Sequence, residues 1–295
     1  MPEIFGIPSA ALFGQLLIGL INGSFYALLS LGLAVIFGLL NIINFTHGAQ
    51  YMLGAFCAYL LLTRLGMGYW WSLLIAPLVV GAFGMLIERT MLKPLYKLDH
   101  LYGLLLTFGL ALIIQGLFRN EYGSSGQPYP IPEELVGGAN LGFMFLPLYR
   151  GWVIAASLVT CLATWFVIER TKLGSYLRAA TENPALVQAF GINVPRMVTL
   201  TYGFGVALAA LAGVMAAPIY QVSPQMGADL IIVVFAVVVI GGMGSIMGSI
   251  VTGFGLGIIE GLTKVFYPEA SNTVIFIIMA IVLLIKPAGL FGTQK

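Results

Sequence analysis

Apolar residues run along this chain in long blocks, broken by short polar stretches and not by regular alternation. The blocks lie near 12–40, 48–65, 70–88, 101–118, 151–168, 197–219, 229–243, 246–263 and 273–286. A helix needs about 20 mostly apolar residues to cross the hydrocarbon core of a bilayer, so these blocks predict transmembrane helices. Strands of a membrane barrel would instead alternate apolar and polar positions. The first block is long enough to tilt or to hold a break. The seventh and eighth have almost no linker, so they read as two full spans or as one span plus a re-entrant turn. The pattern predicts an all-α polytopic bundle of eight or nine spans, organised as one transmembrane domain over residues 1–295.

Composition makes lipid the solvent. Of 295 residues, 60% are hydrophobic and 8% charged, and the mean hydropathy is +1.01. A soluble domain carries roughly 25% charged residues. A net charge of +2 does not suit nucleic acid as a partner. Cys57 and Cys161 fall inside apolar blocks, with no disulfide or metal spacing, and read as small buried hydrophobes. The opening "MPEIFGIPSAALFGQ" lacks a basic region before its apolar run, so a cleavable signal peptide is not expected. Cations set the orientation. One set of loops holds Arg89, Lys93, Lys97, Arg170, Lys172, Arg178, Arg196, Lys286 and Lys295; the other holds Arg64, Arg119, Arg150 and Lys264. Nine against four places the first set in the cytoplasm and, with nine spans, the N-terminus outside.

Polar residues inside apolar blocks are costly and tend to mark function. They are Asn22, Asn44, His47, Gln115 and Glu260. Asn22-Gly23-Ser24, with Tyr26 one turn on, permits close helix packing or a local break that exposes carbonyls. In "NIINFTHGAQYML" (41–53), Asn41, Asn44, Thr46, His47 and Gln50 interrupt two apolar runs. They read as a short turn capped by Asn44 or Thr46, or as the inner end of a solute pathway. His47 has no acidic neighbour in sequence to make a proton relay. Glu260 and Lys264, four residues apart, read as a neutralised pair. His100, in the "KLDH" loop, reads as solvated.

The chain has no G-x-x-x-x-G-K-[ST] phosphate loop. The run "GGMGSIMGSIVTGFGLG" (241–257) lacks the lysine of such a loop. Its Ser249, Gly253 and Gly257 keep the small-x-x-x-small spacing of packed helices. Gly241, Gly242, Gly244 and Gly248 read as packing glycines or as a mobile turn that gates the inner end of the pathway. No cofactor, metal or catalytic residue is expected in this chain.

A pathway without a motor must receive force from elsewhere. The segment 170–196 is a cytoplasmic loop, mixed and small between two apolar blocks. Thr181 is the expected N-cap of a short helix, with Pro184 in its first turn. Leu186, Ala189 and Phe190 then share one side, Gln188 lies between, and Gly191 ends the helix. Such a helix offers an apolar face to a groove on a partner. The outer loop 120–149, rich in Pro, Gly and aromatics, reads as a connector or as a surface for an external partner.

These residues carry a resemblance. The segment "RAATENPALVQAFGINVPR" (178–196) is similar to the loop by which permeases of ATP-binding-cassette importers dock on their ATPases. The general signature of that loop begins Glu-Ala-Ala; here Arg178 precedes Ala179-Ala180. Arg178, Ala179, Thr181, Glu182, Asn183, Pro184, Leu186, Val187, Phe190, Gly191, Ile192 and Asn193 lie on it, closest to a variant R-A-x-x-x-[ND]-x-x-x-A-x-x-x-G-I-[ND]. "LINGSFYALLSLGLAVIFGLLNIINFTHGAQYMLGAF" (20–56), "VVIGGMGSIMGSIVTGFGLGIIEGL" (238–262) and "IKPAGLFG" (285–292) resemble branched-chain amino-acid permeases of that type. The length resembles the smaller of their two membrane subunits.

The resemblance implies an importer-type helical bundle in a bacterial inner membrane and a second related permease to complete the pore. It also implies two ATPase subunits that bind ATP and Mg, and a periplasmic binding protein that delivers substrate. Leucine, isoleucine and valine are the implied substrates, with urea, short amides or other amino acids as alternatives. An ion-coupled secondary transporter would need intramembrane carboxylates and visible repeats, a channel a filter motif or charge ring, and a membrane enzyme clustered His, Asp or Glu. The spans here are poor in acids and show no clear repeat, and neither a filter motif or charge ring nor such a cluster is present.

Overall fold

The computed structural model describes residues 3–4, 7–40, 44–142 and 144–292; Asn41 and Lys295, used above, lie outside the described residues. Eleven α-helices occur among the described residues: α1 (Ser9–Leu40), α2 (Thr46–Leu65), α3 (Tyr69–Ile87), α4 (His100–Tyr122), α5 (Leu148–Arg170), α6 (Lys172–Glu182), α7 (Pro184–Ala189), α8 (Val194–Tyr220), α9 (Met226–Gly241), α10 (Ile246–Phe266) and α11 (Val274–Ile285). Each apolar block coincides with one helix, and α6 and α7 fill the polar segment before α8. Six helices, α1, α3, α4, α5, α8 and α10, are long and apolar enough to cross a membrane, while α9 and α11 are shorter apolar helices. This is an all-α, multi-pass membrane protein. α1 is continuous through Asn22-Gly23-Ser24, where the Ser24 hydroxyl donates to the Leu20 carbonyl at 2.9 Å within the helix.

The chain forms two compact units, one of residues 1–30, 131–161 and 233–295, the other of residues 31–130 and 162–232. In the first, the early part of α1 lies antiparallel on α10. Gly19 meets the Gly257 carbonyl, Gly23 faces Phe254 with Gly253, and Gly261 faces Gln15. A methyl group at Gly253 would stand 2.6 Å from the Ala27 Cα, and the Ser30 hydroxyl bonds the Ser249 carbonyl at 3.3 Å. Lipid tails are as apolar as leucine, so helices in a bilayer gain their association from close backbone contact. Small residues at four-residue intervals provide it here. A short antiparallel hairpin pairs Gly138–Asn140 with Phe145–Pro147 in the loop between α4 and α5.

In the second unit α8 packs against both α2 and α3, burying Ile36, Val80, Ile87, Leu92, Tyr202, Val206 and Ala210 in one apolar cluster. α4 behaves oppositely: Leu105, Ile113 and Leu117 are each at least 60% exposed, as a helix face turned to lipid requires. α3 runs on into a π-helical turn, Glu88–Leu92, and a 3-10 turn, Lys93–Lys97, that begins with Pro94 near its start. The start of the loop after α4 is pinned by paired backbone bonds between Gln127 and Val222 at 2.8 and 2.9 Å. Cys161 is buried, Cys57 half-buried, and both are free thiols.

At Gly213 an added methyl group would collide with the Tyr51 carbonyl and stand 2.9 Å from the Ala55 nitrogen, whereas Gly109 has nothing within 4 Å. Gly213→Ala is expected to lower the melting temperature of the purified protein by overpacking, a cost of about 1–3 kcal/mol. Gly109→Ala should leave it unchanged or raise it, since alanine favours a helix over glycine by about 1 kcal/mol. Equal melting temperatures for the two variants would contradict the packing described for α2 and α8.

Candidate functional site

Each unit encloses its own polar cluster. In the first unit the centre is Glu260, whose side chain is 7% exposed. The Lys264 ammonium donates to its Oε1 at 2.6 Å from one turn further along α10. From α1 the Tyr26 hydroxyl donates to Oε2 at 2.7 Å and the Asn22 amide to Oε1 at 3.3 Å. A buried carboxylate is tolerated only when paired and hydrogen-bonded, and here a cation, a phenol and an amide share that task. Asn22 and Tyr26 occupy one face of α1 because they are four residues apart.

In the second unit the start of α2 carries Asn44, Thr46, His47 and Gln50, all fully buried. The Asn44 amide donates to the Gln50 carbonyl oxygen at 3.3 Å, and the Gln50 amide approaches the Tyr202 hydroxyl of α8 at 3.5 Å. α4 holds the same turn: Thr46 donates to the Thr107 carbonyl at 2.9 Å and the Thr107 hydroxyl accepts from the Phe45 amide at 3.3 Å. His47 lies against α1, for a methyl group at Gly32 would stand 3.0 and 3.1 Å from its Cε1 and Nε2. Beside this cluster is a cavity of about 270 Å³ lined by Phe45, Met52, Gln115, Pro224, Gly227 and Ile231 among others. Gln115 thus reaches the cavity, while the four polar residues of α2 stay behind it.

The segment 170–196 differs from expectation in its cap. Two helices form where one was expected, and Asn183, not Thr181, caps the second: its Oδ1 accepts from the Leu186 amide at 3.0 Å. Pro184 takes the first helical position, so the residue just before it must be the cap. Thr181 falls in the last turn of α6 and donates to the Arg178 carbonyl at 2.7 Å. Gly191 has φ +83°, the left-handed turn that glycine enters without a Cβ clash. Val187 is buried with Leu177, Ala180, Val194 and Met197, and Ile192 packs on that cluster. Leu186 and Phe190 point outward, 54% and 78% exposed. Glu182 is exposed. Asn193 caps α8 through the Arg196 amide at 3.1 Å. Arg178, beside Ala179, pairs with Glu169 at 3.3 Å, both about half exposed.

The glycine turn between α9 and α10 is closely held. Gly242 and Gly244 have φ +102° and +83°. Gly241 lies against Gly248, and Ser245 caps α10 by accepting from the Gly248 amide at 3.1 Å. The C-terminal tail packs onto this turn: the Leu290 amide donates to the Ile240 carbonyl at 2.8 Å and the Phe291 amide to the Gly241 carbonyl at 3.1 Å. A methyl group on Gly242 would stand 2.5 Å from the Gly292 nitrogen. Gly241, Gly242 and Gly248 are thus in close backbone contact with their neighbours. Among the described residues no group of three or more His, Cys, Asp or Glu comes together.

Comparison with known protein families matches residues 15–283 to the family described as "Branched-chain amino acid transport system / permease component". This chain belongs to that family. It is 30% identical to the high-affinity branched-chain amino acid transport system permease protein BraD of Pseudomonas aeruginosa, over 100% of this chain and 99% of the relative. It is 29% identical to the corresponding LivH of Escherichia coli K12, over 95% and 96%. LivM of the same organism matches at 28%, over 92% of this chain and 68% of LivM.

Several groups that the permease buries were not singled out in the sequence. Glu88, at the end of α3, is 1% exposed and accepts from the Tyr96 and Thr199 hydroxyls, both at 2.6 Å. It is the last residue of the apolar block 70–88, where nothing in the sequence marks the two hydroxyls that meet it. Tyr202 and Thr107 sit inside apolar runs that gave no sign of the polar partners they meet. The Glu260 cluster yields a directional test. Lys264→Met leaves a carboxylate buried without its cation, whereas Glu260→Gln keeps an acceptor for Tyr26 and frees an ammonium already 31% exposed. Removing one partner of a buried pair costs about 3–5 kcal/mol, so Lys264→Met should lower the thermal melting temperature more than Glu260→Gln. The reverse order would show that the cluster does not depend on neutralising Glu260.

Proposed function

We propose that this chain is the membrane-spanning permease subunit of an ATP-binding-cassette importer for branched-chain amino acids, in a bacterial inner membrane. The observation that carries this is the family match over residues 15–283, joined by curated relatives of the same description that align end to end. A second related permease completes the pore; that LivH and LivM both match this chain supports pairing of two such subunits. Two cytoplasmic ATPases supply force and bind ATP with Mg, and a periplasmic binding protein delivers substrate. This chain contributes pathway and coupling, with no catalytic step of its own.

The chain crosses the bilayer eight or nine times. The six long apolar helices account for six crossings. α2, with 20 residues, reaches about 30 Å at roughly 1.5 Å per residue. α9 and α11, with 16 and 12 residues, reach about 24 and 18 Å, so α11 is the helix that separates eight from nine. With α6 and α7 on the cytoplasmic side, Leu186 and Phe190 form the docking face for an ATPase, and Val187 fixes α7 to the body of the subunit. Closure of the ATPases then moves α7 together with α6 and α8. The buried turn at Asn44, Thr46 and His47 and the cavity beside it serve as the pathway surface of the second unit, and the Asn22, Ser24 and Tyr26 face of α1 serves as that of the first.

Purification of the tagged subunit from its host in mild detergent, with mass spectrometry, tests the assembly. An ATPase and a second permease are expected to come with it; recovery of the chain alone would contradict the subunit reading. Leu186→Glu puts a charge on the docking face and Gly191→Val forces a side chain into the left-handed turn, at about 1–2 kcal/mol. Both are expected to cut leucine uptake by about ten-fold or more while ATP hydrolysis and membrane levels are kept, on the scale of a lost interface hot spot of about 2 kcal/mol. Normal uptake by both would remove the coupling role of α7.

A further inference from the structure

A groove in the second unit has no part in the transport reading. It lies between the end of α3, with the π turn after it, and the start of α8, and has a volume of about 530 Å³. Its floor is apolar, with Met85, Leu86 and Leu200; Leu86 and Leu200 are 57% and 64% exposed. Its rim carries Arg89, Lys93 and Arg196, all exposed. Arg89 and Lys93 are one helical turn apart, and Arg196 enters from the first turn of α8. Among the described residues none of these three cations forms an ion pair. The carboxylate beside them, Glu88, is buried and held by Tyr96 and Thr199. Three cations against one carboxylate leave the groove positive.

A chain with 13 Lys and Arg in 295 residues has gathered three of them on one trough without giving them counter-ions. Like charges held together repel, and the arrangement is favourable when an anion lies between them. One turn before the lining residue Ala82, α3 also exposes Leu78 at 72%, so apolar surface runs on from the groove along the helix. A ligand matching both parts has an anionic head and an apolar tail. We infer that this groove binds an anionic phospholipid of the cytoplasmic leaflet, its phosphate between Arg89, Lys93 and Arg196 and an acyl chain along Met85, Leu86 and Leu200. Basic pockets between helices at the cytoplasmic surface suit such headgroups. The inference rests on the membrane reading and on these cations facing the cytoplasm, and does not depend on the transported substrate.

The test uses the assembled transporter in nanodiscs doped with photoactivatable phosphatidylglycerol or phosphatidylcholine, with adducts mapped by peptide mass spectrometry. Phosphatidylglycerol is expected to label residues 85–89 and 196–200, and phosphatidylcholine to label them weakly. Each cation removed should lower phosphatidylglycerol labelling about five-fold, read in Lys93→Gln alone and in Arg89→Gln with Arg196→Gln. Arg89→Lys with Arg196→Lys should keep most of it. The single Lys93 variant, at an exposed position, decides the matter if the double variant is not recovered folded. Equal labelling by the two lipids, labelling unchanged in the glutamine variants, or cross-links from Lys93 to an ATPase in place of lipid adducts would overturn the inference. Labelling needs no uptake, so a failure here is distinct from a failure of the transport reading.

Discussion

Close backbone approach between helices is the constraint on which this structure depends. In lipid there is no hydrophobic gain in bringing one apolar helix against another, so contact must come from dispersion between backbones and from a few hydrogen bonds. That is why glycine recurs at the lines of contact. Gly19, Gly23, Gly253 and Gly257 join α1 to α10, and Gly213 lets α8 lie on Tyr51 and Ala55 of α2. On α4, by contrast, Leu105, Ile113 and Leu117 face outward. The composition that excludes water solubility and the glycines that permit packing are two sides of one arrangement.

The same solvent makes every buried polar group conspicuous. Glu260, Glu88, Asn44, Thr46, His47 and Gln50 lie within this apolar chain, and each sits where two or more helices meet. Their hydrogen bonds tie α10 to α1, and α2 to α4 and α8. A transporter must shift helices without unfolding, and helices tied at a few polar points and otherwise in smooth small-residue contact can slide between two packings. α7 exposes Leu186 and Phe190 and is keyed to α6 and α8 by Val187, which suits it to the docking role proposed for it.

Much of the fold was legible because helix length in a bilayer is set by apolar run length. Each block of the sequence became one helix with ends a few residues away, and α1 kept its continuity through Asn22-Gly23-Ser24. Local capping was less legible. Thr181 and Asn183 are both good caps, and only the place of Pro184 at the first helical position decides for Asn183. A six-residue helix is also too short for periodicity to say which residue turns inward, so the burial of Val187 was not evident. Long-range pairing was not legible at all. Tyr26 and Asn22 meet Glu260 from 234 and 238 residues away, and only the i,i+4 partner Lys264 could be read from the chain.

In the reading proposed here, this subunit carries solute only when force reaches it from an ATPase. The most direct measurement is uptake of labelled leucine into proteoliposomes holding the purified assembly with its binding protein, with and without ATP on the ATPase side, and with ion gradients imposed or collapsed. The account predicts accumulation that requires ATP, the binding protein and this chain together, and that persists when ion gradients are collapsed. Accumulation by this chain alone, driven by an ion gradient and indifferent to ATP, would contradict it.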